Sequence, residues 1–334
     1  MNCQDCQMFC YQCEQTAKGT GCTTVGVCGK NANVAALQDL LIYSIKGLSH
    51  LLLIAQANKV PQKESEIERF IFEALFATVT NVDFSEEAIF TLVQKTIRLR
   101  DEILRGLQAQ NIDVGTHDAV TFKLADTLEN AIRQAHLYHV IDKKEHSPDI
   151  QSLKNTLLFG IKGIAAYADH AALLGEKDPL IYKFLAKSLA SMLRYDLGID
   201  EWIGLLMECG TINLRAMELL DKGNTAHYGN PVPTVVPLGA KKGKAILVSG
   251  HDLRDLELLL KQTEGKGIYI YTHGEMLPCH GYPELKKYPH FYGHYGTAWQ
   301  NQHKEFSEFP GTILMTTNCI QKPLDNYKEV SEYS

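Results

Sequence analysis

Residues 229–244, GNPVPTVVPLGAKKGK, divide this chain into two texts of different periodicity. Three prolines and three glycines in this stretch remove backbone donors and favour turns, so neither a helix nor a strand runs through it. Upstream, apolar residues recur at the 3.6-residue spacing of helices. Downstream, short apolar runs alternate with helical segments. The expected architecture is therefore an all-α region of two tandem helical bundles, a linker over 229–243, and a Rossmann-like α/β domain with a parallel sheet over 244–334.

In the upstream region, NVAALQDLLIYSIKGLSHLLLIAQANK reads as an amphipathic helix interrupted by Asp39, Lys46 and His50. Further helices are expected at roughly 64–80, 85–109 and 117–140, with Ser85 and Asp118 as N-caps. The pattern then repeats. LQDLLIYSIKGL aligns with LKNTLLFGIKGI at an offset of 116 residues, and Ile67 and Phe70 fall against Ile181 and Phe184 at an offset of 114. The helical domain, 31–228, thus holds two related bundles at about 31–140 and 150–225.

In the α/β text, KAILVSG, GIYIYT and GTILMTT read as strands, with DLRDLELLLKQT and TAWQNQHKEF as helices between them. Sites in open α/β sheets form beyond the carboxyl ends of the strands. The loops there read GHD, HGEMLPCHGYP and NCIQKP, and each carries a good metal ligand in its first few residues: His251, Glu275 and Cys319. Singly, these read as a capping imidazole, a solvated carboxylate and a small buried thiol. Their coincidence at three strand ends makes a mixed nitrogen, oxygen and sulfur set that suits a transition metal, zinc included, better than Mg or Ca.

A second cluster of ligands lies in the segment 1–30. Cys10, Cys13, Cys22 and Cys28 form C-x2-C-x8-C-x5-C within nineteen residues. Four thiolates satisfy an all-thiolate zinc site or an iron–sulfur cluster, and the long middle spacer with no repeated knuckle favours iron–sulfur. Cys3 and Cys6 allow a competing tetrad with Cys10 and Cys13. Cys209, inside WIGLLMECGTINL, reads as helix core. Nine cysteines, an odd number, in a chain with no basic and apolar leader argue for metal binding in the cytoplasm over a disulfide scaffold. A formal net charge of −6 without a Lys/Arg block excludes an obvious nucleic-acid or anionic-membrane partner. No run of eighteen or more apolar residues is present, so no membrane span is expected.

Taken together, FCYQCEQTAKGTGC, GVCGK, LQDLLIYSIKG, VSGHD, THGEMLPCHGYPELKKYPHFYGHYGTAWQNQ and MTTNCIQKP resemble the hybrid cluster protein family, also called prismane proteins or hydroxylamine reductases, over about residues 8–328. The resemblance implies a [4Fe-4S] cluster on Cys10, Cys13, Cys22 and Cys28, in the spacing of the form found in anaerobes. It also implies a hybrid iron–sulfur–oxygen cluster with His251, Glu275 and Cys319 among its ligands, His251 and Glu275 holding the reactive iron. The implied activity is reduction of hydroxylamine to ammonia and water, or of nitric oxide, with electrons from a soluble reductase. The alternative is a non-catalytic iron–sulfur electron-carrier or assembly module holding only the [4Fe-4S] cluster, and a structural zinc protein is a third reading.

Two departures from the family stand out. Cys279 places an extra thiol near Glu275, where a small non-ligand residue is expected. The family continues into a further α/β domain that supplies the remaining hybrid-cluster ligands, so the chain is expected to be an N-terminal portion that is completed in cis or by a partner chain.

Overall fold

The computed structural model describes residues 8–138, 145–327 and the backbone of 331–333. Cys3 and Cys6, of the competing tetrad, lie outside the described residues. Among the described residues seven α-helices precede the sheet: α1 Ala32–Ala57, α2 Glu64–Ala77, α3 Glu86–Ala109, α4 Leu128–Ala135, α5 Pro148–Leu173, α6 Pro179–Ser191 and α7 Ile199–Tyr228. All but α2 and α7 start at a side chain that accepts one of the first free N–H groups. Asn31 Oδ1 takes Val34 N at 2.8 Å, and Ser85 caps α3 as expected, taking Ala88 N at 3.2 Å.

The helix expected over 117–140 is not formed as one piece. Its start is a 3-10 turn, Asp118–Val120, capped by His117 and not by Asp118, and its centre is the short α4. Arg100 gives the physical reason. Its buried guanidinium takes the carbonyls of Ala119 at 3.2 Å and Phe122 at 2.8 Å, acceptors that a continuing helix would need. A new helix then starts at Thr127, whose hydroxyl accepts from Asn130 N.

The repeat interlocks. In sequence order α1, α2 and α3 correspond to α5, α6 and α7, and each first helix packs on the third helix of its own repeat and on the second helix of the other. Both repeats consequently share one hydrophobic core, in which Leu37, Leu41 and Ile45 of α1 and Leu157 and Ile161 of α5 are fully buried. By length and composition α1 could cross a membrane, a property the search for an unbroken apolar run did not bring out. Most of it is buried against α3 and α6, as a core helix would be.

The sheet has five parallel strands in the order β3-β2-β1-β4-β5: β1 Lys244–Ser249, β2 Ile268–Thr272, β3 Phe291–His294, β4 Thr312–Met315 and β5 Ser331–Tyr333. Three of these were expected from the sequence; β3 and β5 were not. Neighbouring residues of one strand feed opposite faces. Val248 and Ile270 pack against Leu256 and Leu260 of α8 (Leu253–Thr263), whereas Leu247, Tyr271 and Ile313 pack against Phe306 of α10 (Gln302–Glu308). A short helix, α9 (Pro283–Lys286), leads into β3. The linker runs along the outer edge of β3, where Pro237 O accepts from His294 N at 2.9 Å.

The chain progresses outward from β1 to β3, then crosses to place β4 on the other side of β1. The strand order therefore reverses between β1 and β4. A topological switch point of this kind opens a crevice at the carboxyl ends of the two strands.

Candidate metal centres

Both loops at the switch point carry predicted ligands. Ser249, Gly250, His251 and Asp252 leave β1, and Thr316 to Cys319 leave β4. The two loops are in close contact: a Cβ on Gly250, whose φ is 121°, would stand 2.2 Å from Thr316 Oγ1. Only glycine fits there. His251 N donates to Thr317 Oγ1 at 3.0 Å, and its ring Nδ1 pairs with the Asn318 carbonyl. A carbonyl oxygen only accepts, so Nδ1 carries the proton. The Nε2 lone pair is left available to a metal.

Glu275 enters from the next strand end, on a 3-10 turn over Gly274–Gly281 that follows β2. His273 anchors this turn. Fully buried, it pairs with Glu305 Oε2 at 2.7 Å through Nε2, and Glu305 also accepts from Thr297 N and Oγ1. Cys319 is half-buried. Gln302 Nε2 donates to its carbonyl at 2.7 Å, and Asn81 O accepts from Ile320 N at 3.1 Å. Burial first, then the nearby Glu275 charge, push the Cys319 thiol up to about 11, against the Asn318 and Asn81 amides that lower it.

His251, Glu275 and Asn318 line one wall of a cavity of about 750 Å³, and α5 and α7 supply the opposite wall with Tyr167, His170 and Asn213. Burial first, and then the nearby His251, depress the His170 imidazole to about 4, so it is neutral at neutral pH. Cys209 is buried on α7, as expected of helix core, and its pKa is pushed up to about 11 by burial. Cys279 is buried in the core of the α/β region, with its thiol pushed up strongly by burial. Both residues also border the cavity.

The four-cysteine loop docks between this site and α5. Cys10 and Cys22 are paired by two backbone hydrogen bonds, Cys10 N to Cys22 O at 3.1 Å and Cys22 N to Cys10 O at 2.8 Å. This pairing draws the loop's two ends together across the long middle spacer. Cys22 Sγ accepts from Ala17 N at 3.4 Å, and Cys28 O accepts from Lys322 N at 2.8 Å. The second bond joins the cysteine loop to the loop that carries Cys319. Burial alone would raise Cys22, but the N–H groups of Ala17 and Val27, the Thr16 hydroxyl and the charge of Lys30 together hold it below the usual thiol range. Cys28 is raised by burial, and by the nearby Cys10 and Cys13, against the opposing effect of Lys30.

Among the described residues, no three His, Cys, Asp or Glu side chains converge as ligands of one ion. Sulfurs sharing one tetrahedral zinc stand about 3.8 Å apart, given bonds of about 2.3 Å. A four-iron cube instead takes one thiolate at each of four corners, so its ligands stand farther apart. The mutual influence of Cys10, Cys13 and Cys28, the free thiols and the N–H donors to sulfur fit such a cube. At the strand ends, the mixed donors and the open Nε2 of His251 fit a group containing both soft and hard iron. Gln302, Glu305, His273 and Asn81, which hold the ligand-bearing loops, were not singled out from the sequence. Gln302, Glu305 and Asn81 lie away from the strand ends, and His273, which directly follows β2, shows its part only through its pairing with Glu305.

An open parallel sheet with metal-ligating residue types at its switch point thus stands beside a loop of four free cysteines. The chain belongs to the Prismane/CO dehydrogenase family, whose model matches residues 8–333. It is 58% identical over 321 residues to a hydroxylamine reductase of Syntrophobacter fumaroxidans, covering 96% of this chain and 59% of that protein. It is 56% identical over 322 residues to a hydroxylamine reductase of Methanocella arvoryzae, with the same coverage. The chain thus spans about three-fifths of the length of these relatives. Carbon monoxide dehydrogenase IV from Carboxydothermus hydrogenoformans is similar over 98% of this chain and 48% of its own, with 14% identity and a TM-score of 0.36.

Proposed function

We propose that this chain is the cluster-binding portion of a hydroxylamine reductase, which converts hydroxylamine, two electrons and two protons to ammonia and water; nitric oxide is a further substrate compatible with the same site. The observation that carries this reading is the cavity at the switch point, with His251 and Glu275 on one wall and the thiol of Cys319 beside it. At about 750 Å³ it exceeds by an order of magnitude the roughly 30 Å³ share of one water, so it has room for an inorganic cluster as well as a two-heavy-atom substrate.

Cys10, Cys13, Cys22 and Cys28 would hold a [4Fe-4S] cluster. His251, Glu275 and Cys319 would hold part of a hybrid iron–sulfur–oxygen cluster whose other ligands come from a further domain in cis or a partner chain. Such groups would supply electron storage and Lewis acidity. The chain's own residues orient the ligands. Asn318 fixes the His251 tautomer, and the His273–Glu305 pair fixes the Glu275 turn. His170, neutral at neutral pH, is placed in the cavity as a hydrogen-bonding group and not as a cation. Lys322 N, in the loop that carries Cys319, donates to Cys28 O at 2.8 Å, which supports placing the two clusters side by side. A soluble cytoplasmic reductase is the expected electron donor.

Iron and acid-labile sulfide per chain after anaerobic purification, followed by hydroxylamine consumption with an artificial donor, test the reading. The expected result is about four irons in the chain alone, little turnover, and turnover once the remaining domain is supplied. Substituting His251→Ala or Glu275→Gln in the completed assembly should remove turnover and spare the [4Fe-4S] signal. A completed assembly with only that cluster and no turnover supports the electron-carrier alternative, and zinc alone rejects both.

A further inference from the structure

Two lysines are buried against the cysteine loop, a position where a cation is costly unless something compensates it. Lys30 is 1% exposed and Lys162 2%. Lys162 rises from the middle of α5 and donates from Nζ to Gln12 Oε1, between Cys10 and Cys13, and to Thr78 O, both at 2.9 Å. Lys30 follows Cys28 by two residues and donates to Gln38 Oε1 at 2.6 Å. All three acceptors are neutral. Asp39 and Lys46 also act on Lys162, with opposite signs.

Besides Gln12, the groups of the loop near enough to these two lysines to feel their charge are thiols. Lys30 acts on Cys22 and Cys28, and Cys10 acts on Lys162. A [4Fe-4S] core with four thiolates is a net anion, and reduction adds one more negative charge. Cations fixed in a water-poor interior favour that reduced state more strongly than cations in solvent would.

We propose that Lys30 and Lys162 are the built-in counter-ions of the group held by Cys10, Cys13, Cys22 and Cys28, and that their charge raises its reduction potential. They are positioning residues, acting on the cluster through space and not as its ligands. This rests on the reading that the four cysteines hold a [4Fe-4S] cluster, and the two fail differently in the test below.

The test uses the full chain, loaded anaerobically, with iron and sulfide assayed and the cluster potential read by a redox titration followed by electron paramagnetic resonance. Lys162→Met and Lys30→Gln each remove one charge, and Gln12→Ala removes only the hydrogen bond to Lys162. The expected result is a lower potential in each lysine variant, lower again in the double variant, with the Gln12→Ala potential close to that of the unaltered chain. A folded lysine variant that loses its iron while Gln12→Ala keeps it also supports the counter-ion role. Unchanged potentials at full iron content overturn it, as does equal loss of iron from Gln12→Ala, which would assign the effect to the strap of hydrogen bonds. Should Lys162→Met fail to fold by circular dichroism, Lys30→Gln decides the matter alone. Absence of iron and sulfide from the unaltered chain overturns the cluster reading itself, and the counter-ion role with it.

Discussion

Gly160 of α5 faces Cys209 of α7 so closely that a methyl group on Gly160 would stand 2.8 Å from Cys209 Sγ. These helices form the cavity wall opposite the strand ends, so their spacing sets the width of the site. Gly160→Ala should cost about 1–3 kcal/mol through overpacking, and Cys209→Ala on the order of 1 kcal/mol through lost burial. Because the two side chains share one space, the double variant should be more stable than the sum of the single losses requires. Urea unfolding of the four proteins checks this, and additive losses would show that the helices adjust independently of the pair.

Each of Cys10→Ser, Cys13→Ser, Cys22→Ser and Cys28→Ser should abolish the [4Fe-4S] signal, because one iron is left without its thiolate. Cys3→Ser and Cys6→Ser should leave iron content unchanged. Loss of iron in the latter pair would move the ligand set to the competing tetrad.

Lys162 makes the metal-free chain sensitive to alkali in an unusual direction. Burial, and then the charge of Lys30, lower its folded pKa to about 7, from the 10.5 of an exposed lysine. Between these values the unfolded chain binds more protons than the folded one, so stability rises with pH across the window and the penalty is complete below about 7. Reduced, metal-free protein should therefore gain stability relative to Lys162→Met as pH is raised from 7 to 9, by a few kcal/mol at most. Parallel pH curves for the two proteins would mean that Lys162 keeps an ordinary affinity for its proton.

Asn81 presents a fully buried carboxamide with neither polar atom in a hydrogen bond of ordinary geometry among the described residues, and it lowers the Cys319 thiol. Its φ of 46° is a left-handed value that Asp also tolerates. Asn81→Asp removes the amide donor and, once ionised at the alkaline pH of thiol alkylation, sets a negative charge beside Cys319 at a cost in stability, raising the thiol further. The expected outcome is several-fold slower alkylation of Cys319 by iodoacetamide in the metal-free chain, measured by peptide mass spectrometry. An unchanged rate would place the carboxamide outside the reach of the thiol.

The residues that announce themselves in the sequence are those whose chemistry is local. The cysteine spacing, the proline-rich break and the His251, Glu275 and Cys319 strand ends need only their neighbours in the chain to be read. Strand β3 was missed because its text, FYGH, is short and lies between turns, and its strand character comes from pairing with β2. The broken helix after residue 117 was missed because the residue that diverts its carbonyls, Arg100, belongs to another helix. Lys162 appeared in the sequence only as half of the shared IKG. That it is buried, while its counterpart Lys46 is half-buried, follows from where the cysteine loop lies on the interlocked repeats.

Helix α1 leaves the ribosome long before the helices that cover it. Its apolar face waits for α3 and then for α6, which ends at Ser191, more than a hundred residues after α1 does. At about 5–20 residues per second, translation takes roughly 7 to 27 seconds to reach that point. During that interval the nascent chain displays an apolar helix of 26 residues whose covering helices have yet to be made. The interlocking of the repeats thus ties the burial of the first helix to the synthesis of the sixth.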